Sequence, residues 1–331
     1  MTVLVTGGTG FVGSAIVRAL LTCGESVRVM VREQSDQTLL GGLDVERVHG
    51  DLDDALSLER AVAGCRALFH AAADYRLWVP DPAAIYRTNV EGTIDLMHAA
   101  AEAGVERIVY TSSVATLGLS GSAEPADEET PTSIKKMVGH YKRSKYLAEQ
   151  EVLRLIAEEG LPAVIVNPSA PIGPRDIRPT PTGRLVLDVA RRRLPAYVDT
   201  GLNVVHVDDV ADGHLLAFLR GRIGERYILG GENLPLDAIV KAAARAAGVR
   251  PPFLKLPILP LMPIAFATEA IWRRRGRTDE PFITVDGLRM ARKLMFFSSA
   301  KAERELGYQA RPAAEAFKDA IAWYRSNKLV V

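Results

Sequence analysis

The chain of 331 residues sets 41 Lys and Arg against 40 Asp and Glu, a formal net charge of +1, with 48% hydrophobic and 24% charged residues. That composition excludes a disordered or collagen-like chain and predicts one large domain, or two intimately joined ones, with ample core. A balance so close to zero also excludes a general nucleic-acid binder, which needs an excess of cations to displace counterions from phosphate.

The predicted elements begin at once. Val3–Val5 is an apolar run that ends in a glycine-rich turn, so no signal peptide and a cytoplasmic location are expected. Further short runs rich in valine and isoleucine follow at Val27–Val31, Val45–Val48, Ala67–His70, Arg107–Thr111 and Ala163–Val166. Helical periodicity separates them at Val12–Thr22, Leu56–Ala63, Asn89–Ala103 and Tyr141–Glu159, with Gly24, Gly64, Gly104 and Gly160 placed as left-handed C-caps. Alternation of this kind predicts an α/β fold, a Rossmann-type doubly wound parallel sheet whose strands are buried on both faces. Beyond Val166 comes a proline-rich connection, Asn167–Pro174 through Arg178–Pro181, that suits neither a regular helix nor a central strand. The division expected is a nucleotide-binding domain over 1–166 and a smaller, mostly helical substrate-binding part over 167–331. Segments near 203–230 return, since Val204–Val207 and Tyr227–Leu229 read as strands that the sheet recruits back. Cys23 and Cys65 are too few to staple this fold, lie in no CxxC pair and suit a reducing compartment; no metal site is expected.

Thr6-Gly7-Gly8-Thr9-Gly10-Phe11-Val12-Gly13 closes the first strand and opens the first helix. Glycines at 7, 10 and 13 allow positive φ, close approach of backbone to a pyrophosphate, and tight helix–strand packing; the helix N-terminus adds free N–H groups. A dinucleotide is the expected ligand. At the end of the second strand, where a carboxylate would take the ribose diol of NAD, stands Val31-Arg32-Glu33. Arg32 is placed to pair with a 2′-phosphate, which favours NADP(H); Glu33 keeps NAD(H) as the alternative. Asp51 of Gly50-Asp51-Leu52 is placed either to accept from the adenine amino group, with Leu52 over the ring, or to cap the following helix. Ala71, Ala72 and Ala73 offer a bed of small side chains for the cofactor, or ordinary tight packing.

Tyr141 and Lys145 project from one helix face, one turn apart, and strand Val109–Thr111 ends in Ser112-Ser113 at the edge where open α/β sheets place ligands. A tyrosine titrates near pH ~10, and moving it toward ~7 costs about 4 kcal/mol. The Lys145 cation and an oxidised nicotinamide are the sources of that stabilisation. Tyr141 would exchange a proton with a substrate oxygen, Ser113 would donate to the same oxygen, and Lys145 would also hold the ribose hydroxyls. The structural alternative has Tyr141 packed and Lys145 paired with Glu149; Tyr146 is a competitor on the wrong face.

Taken together, the glycine motif, Gly50-Asp51-Leu52, Asn89-Val-Glu-Gly-Thr93, Ser113, Tyr141-x-x-x-Lys145, Asn167-Pro168 and His206-Val-Asp-Asp-Val210 resemble an extended short-chain dehydrogenase/reductase. The resemblance implies that Asn89 helps hold the catalytic lysine through water, that Thr111 belongs to the cofactor site and that Pro168 abuts the nicotinamide. It also implies a substrate pocket built after about residue 170 and a homodimer through a helix pair. The stretches Ala72–Trp78, Arg178–Gly183 and Pro195–Gly201 resemble the dihydroflavonol 4-reductase-like branch, and more narrowly the hopanoid-associated sugar epimerase family. An NADP(H)-dependent oxidoreductase acting on a carbonyl or secondary alcohol is therefore expected, with a sugar or nucleotide-sugar epimerase or dehydratase as the alternative.

Epimerases of this superfamily carry a diphosphate-gripping arginine before the His-Val-Asp-Asp strand, where this chain has Gly201-Leu-Asn-Val-Val205. Arg175, Arg178, Arg184 and Arg191–Arg193 are the substitutes, with a solvated helix face as their preferred reading. Tyr75 and Trp78 are candidate pocket walls. Phe253–Trp272, followed by Arg273–Arg275 and Arg277, is too interrupted by Lys255, three prolines and Glu269 to span a bilayer. Ordinary packing of a closing helix that starts near Ile264 is the preferred reading. The other is a lid for a lipid-linked substrate with peripheral membrane contact.

Overall fold

The computed structural model describes residues 2–76, 78, 81–120, 124–277, 279 and 281–330. The first half runs β1 (Thr2–Thr6), α1 (Phe11–Thr22), β2 (Ser26–Val31), β3 (Glu46–His49), α2 (Ala55–Val62), β4 (Cys65–His70), α3 (Pro82–Tyr86), a π-helical turn (Arg87–Glu91), α4 (Gly92–Glu102), β5 (Arg107–Thr111), α5 (Gly139–Glu159) and β6 (Ala163–Pro168). The second half runs β7 (Ala170–Ile172), α6 (Pro181–Ala190), β8 (Ala196–Val198), β9 (Gly201–His206), α7 (Val207–Arg220), β10 (Arg226–Leu229), β11 (Glu232–Pro235), α8 (Leu236–Ala247), β12 (Leu254–Leu256), α9 (Leu261–Arg274), α10 (Val285–Ala291), β13 (Leu294–Met295), α11 (Ala300–Leu306) and α12 (Ala313–Ser326).

Seven strands form one parallel sheet in the order β10-β6-β5-β4-β1-β2-β3. Alternation along each strand sends its apolar side chains both ways. Val3 and Val5 meet α1, α7 and α11 on one face, while Leu4, Ile108 and Ile165 meet α2, α4 and α5 on the other. The result is the doubly wound α/β fold that the alternation predicts. Gly24, Gly64, Gly104 and Gly160 all have positive φ, as C-caps require.

Of the two late apolar runs, only Tyr227–Leu229 joins the large sheet, as β10 beside β6. Val204–Val207 does not. It forms the end of β9 and the first residue of α7, and β9 pairs with β7, β11 and β13 in a second, four-stranded sheet. The expectation of recruitment is corrected there: β9 pairs in parallel with β7, which follows β6 by a few residues, and that pairing holds it in the second sheet. A third apolar core holds α6, α8 and α12 against this second sheet.

Candidate functional site

The order of the large sheet sends the chain from β1 outward in both directions, so a crevice opens between the carboxyl ends of β1 and β4. Gly7 closes its floor at φ 71°, where a Cβ would stand 2.7 Å from the Ala72 nitrogen and 2.8 Å from the Ala71 carbonyl oxygen. A Cβ on Gly13 would lie 2.1 Å from the Gly7 oxygen, so neither position tolerates a side chain. Gly10 is the N-cap of α1 and donates its N–H to Gly7 (2.9 Å). The cap offers no side-chain oxygen and the first turn no carboxylate, which leaves the positive end of α1 available to an anion beside Thr9, Phe11 and Val12. Buried hydroxyls of Ser112 and Ser169, and Oδ1 of Asn167, at the carboxyl ends of β5 and β6, have no hydrogen-bond partner among the described residues. Unpartnered polar atoms of this kind mark places where a ligand belongs. The glycine cradle, the uncapped helix and these atoms fit a dinucleotide.

Arg32 follows β2, exposed, with no ion pair among the described residues. Asp51 does not cap α2: that cap is Asp54, which accepts from Ser57 N (3.4 Å). One oxygen of Asp51 accepts from Asp53 N (3.2 Å). Leu52 is buried against Gly92, where a Cβ would come within 2.7 Å of it.

A chain of hydrogen bonds ties the crevice together. Ala72 N–H donates to Thr6 Oγ1 (3.3 Å) and Thr6 donates to His70 Nδ1 (2.7 Å). His70 Nε2–H then reaches Thr93 Oγ1 (3.0 Å), which donates to the Asn89 carbonyl (2.7 Å). Burial, and secondarily Lys145, push the His70 pKa down to about 3, so a neutral imidazole with its proton on Nε2 satisfies every link. Asn89 sits in the π-helical turn, 2% exposed. Its Nδ2 donates to Asp74 O (2.8 Å) and Ser144 Oγ (3.0 Å), and its Oδ1 accepts from Asp74 N (2.7 Å). Sequence reasoning missed the strut through His70; the i, i+4 spacing of Asn89 and Thr93 was its available signal.

Ser113, Tyr141 and Lys145 come together at the carboxyl end of β5. Ser113 stands beside Tyr141, close enough to act on its titration, and its Oγ accepts from Ala115 N (3.1 Å). Lys145 is 2% exposed; its Nζ donates to Thr111 O (2.9 Å) and Tyr110 Oη (3.2 Å) and lies 4.7 Å over the Tyr110 ring. No ion pair forms with Glu149. That carboxylate is fully buried and accepts instead from Asn167 Nδ2 (2.8 Å) and Thr116 Oγ1 (2.8 Å), with Arg226 at 3.5 Å. The structural alternative for Lys145 is thereby excluded.

In the absence of cofactor, burial raises the Tyr141 phenol above its usual pKa of 10, with the neighbouring Ser113 working against it, and Lys145 makes no direct bond to it. Without the positive charge of an oxidised nicotinamide, desolvation wins and Tyr141 keeps its proton. Lys145 is lowered by burial to about 8, against the pull of Glu149. Lys142, beside Tyr141, is another cation the sequence did not point to. Its Nζ meets Met295 Sδ (3.9 Å), and burial with the nearby Lys293 lowers it to about 8.

Thr111 Oγ1 donates to His214 Nε2 (2.9 Å), and Pro168 is buried at the end of β6. Tyr75 is 45% exposed, near Asp176 and Arg178. Trp78 is buried beneath the Arg273 guanidinium (5.4 Å), its indole N–H without a partner among the described residues; Leu77, in the same stretch, lies outside them. His206-Val-Asp-Asp-Val210 proves to be a clamp: His206 caps α7 by accepting from Asp208 N (3.0 Å), and Asp209 pairs with Arg311 (2.7 Å). Where a diphosphate-gripping arginine would precede it, buried Asn203 donates to the carbonyls of Gly231 and Phe297 (both 3.1 Å). Arg175 pairs with Asp208, and Arg191 donates to Leu329 O (2.7 Å).

A doubly wound sheet with this glycine crevice defines an extended short-chain dehydrogenase/reductase, a class of nicotinamide-dependent oxidoreductases. The pattern of the NAD dependent epimerase/dehydratase family matches residues 3–230, and the chain belongs to that family. It is 44% identical over 330 residues to the putative dihydroflavonol 4-reductase of Synechocystis sp., covering 98% of this chain and 95% of that one. It is 36% identical over 330 residues to sterol demethylase protein B of Methylococcus capsulatus, covering all of both. Among solved structures, gox2253 is 55% identical, with a TM-score of 0.90 over 100% of this chain and 99% of that chain. No described helix is long and apolar enough to cross a membrane.

Proposed function

We propose that this protein is a cytoplasmic NADP(H)-dependent reductase of a carbonyl on an apolar, lipid-linked substrate. The observation that carries the reading is Tyr141, kept protonated by burial, beside Ser113 and one helical turn from a Lys145 that forms no ion pair among the described residues. The reduced nicotinamide, when bound, supplies the hydride to the carbonyl carbon. Gly7–Gly13 and the N-terminus of α1 hold the pyrophosphate, and Arg32 takes the 2′-phosphate. Asp51 and Leu52 meet the adenine, Ala71–Ala73 bed the cofactor, and Thr111, Lys145 and Pro168 frame its reactive end. Ser113 donates to the substrate oxygen, Tyr141 Oη passes its proton to that oxygen as negative charge develops, and the Lys145 cation stabilises the phenolate left behind. Asn89 positions α5 through Ser144. Tyr75 and Trp78 line the substrate side.

Reduction in preference to epimerisation is supported by the reductase-named relative and by Asn203, committed to backbone carbonyls where an arginine would grip a diphosphate. A polycyclic lipid substrate, from hopanoid-related or similar metabolism, is supported by the sterol-named relative. The test is to release and identify any bound nicotinamide, then titrate the emptied protein with NADPH and NADH. Reversible binding that prefers NADPH fits a reductase; stoichiometric NAD surviving gel filtration would point to an epimerase that returns hydride to its own substrate.

Arg32→Ala is expected to weaken NADPH about 10- to 100-fold, the worth of a charge-assisted contact, while changing NADH less than about threefold. Isothermal titration checks this, and equal losses would refute the phosphate role. A pH profile tests the proton inventory. Reduction needs Tyr141 and Lys145 both protonated, so kcat/KM for the carbonyl should be level below about pH 7 and fall as pH rises through about 8, where Lys145 loses its charge. A profile that stays level well above that point would contradict the role of Lys145.

A further inference from the structure

Helix α9 is inverted relative to an ordinary surface helix. Only Ala265 and Glu269 of its residues are buried, and the Glu269 carboxylate faces inward, accepting from Val285 N (2.7 Å) and pairing with Arg273 (3.1 Å). Pro263, Ile264, Phe266, Ala267, Ala270 and Ile271 are exposed and share one side of the helix, an arc of about 160° at 3.6 residues per turn. Packing, the preferred sequence reading, is satisfied on the other side alone, by a small cluster of Ala265, Val285 and Leu288 shared with α10. Of the fourteen large apolar side chains exposed among the described residues, seven lie between 253 and 282, with Phe253 91%, Leu259 73% and Phe282 81% exposed. A monomer in water rarely gathers its exposed apolar surface in this way.

The charge around the patch says what covers it. Residues 253–293 contain eight Lys and Arg against four Asp and Glu, in a chain whose net charge is +1. Arg274, Arg275 and Arg292 are exposed and form no ion pair among the described residues. Two copies meeting about a two-fold axis would set this positive excess against itself, whereas an anionic surface neutralises it. An apolar helix face bordered by free arginines is the pattern of a helix lying in the headgroup layer. The unit also touches the candidate site. Arg273 covers Trp78, and the Asp286 carboxylate of α10 stands 3.2 Å from where a Cβ on Gly139, at the start of α5, would be.

We propose that α9 and α10 seat the protein on an anionic phospholipid bilayer. Phe266 and Ile271 rest at the acyl boundary, and Arg274, Arg275 and Arg292 meet headgroup phosphates. The surface stands independently of the reaction. The test is co-sedimentation of the full chain with vesicles of phosphatidylcholine, with and without phosphatidylglycerol. The wild type should bind the mixed vesicles at least about tenfold more tightly, and less so as salt rises. Phe266→Asp with Ile271→Asp should abolish binding to both vesicles. Arg274→Glu with Arg275→Glu should remove only the anionic preference. Both variants should keep wild-type circular dichroism and NADPH affinity, because the changed side chains are exposed. Failure of the wild type to bind mixed vesicles at low salt overturns the proposal. So does unchanged binding by the apolar double variant, or a wild-type dimer that this variant dissociates, which would make a second copy the occupant.

Discussion

Replacing Tyr141 by Phe is expected to lower turnover by about 10²- to 10⁴-fold, the usual worth of a positioned proton donor, while leaving NADPH affinity within about threefold. The ring keeps its packing at the start of α5 and only the hydroxyl is lost. Single-turnover kinetics separate the proton step from product release, and fluorescence titration of NADPH separates both from cofactor binding. Ser113→Ala should lose less, because a second donor to the substrate oxygen only supplements the proton transfer. Retained turnover in Tyr141→Phe would remove this residue from the chemistry, and Lys142, the neighbouring half-buried cation, would be the next donor to examine.

Gly13→Ala is expected to weaken nicotinamide dinucleotides at least about 100-fold and to remove about 2 kcal/mol of stability, as overpacking against fixed atoms does. The added methyl would meet the Gly7 oxygen at 2.1 Å, the Gly7 carbonyl carbon at 2.6 Å and Gly8 Cα at 3.0 Å. All three are backbone, so none can rotate away, and the turn must open at the point proposed to hold a pyrophosphate. Gly64→Ala is the control. Gly64 has φ 73° and nothing within 4 Å of its Cβ site, so the variant should lose about 1 kcal/mol of stability to backbone strain and no cofactor affinity. Thermal melts and NADPH titration of the two variants distinguish the effects; wild-type cofactor binding by Gly13→Ala would show that the turn is not the phosphate cradle.

The parallel strands were legible because burial on both faces leaves runs such as Val27–Val31 with almost no polar interruption. Helix ends were legible where glycine must supply positive φ. The π-helical turn at Arg87–Glu91 was not, although Asn89 itself stood out. A helix-period pattern reads straight through it, and the bulge is held by bonds from Asn89 to Asp74 and Ser144, residues 15 and 55 positions away. Nor was the role of His206-Val-Asp-Asp-Val210, whose clamp closes on Arg311 and Asp319 near the end of the chain.

What the sequence by itself determined is local chemistry: a glycine turn that admits no side chain, a tyrosine and a lysine on one helix face, and the alternation that makes a doubly wound sheet. Only the tertiary structure decided where each of these stands. Glu149 lies at the spacing of an ion pair with Lys145, yet Thr116, Asn167 and Arg226 claim it and leave Lys145 to the backbone of β5. Tyr141 keeps its proton because the surrounding elements desolvate it, a property no spacing encodes. The segment from Phe253 to Trp272 has the apolar content of a packed helix, and the fold turns that content outward. Periodicity sets which residues share a face; the partner available to that face is set by contacts distant in sequence, and in α9 the inward place is already taken by Glu269 and α10.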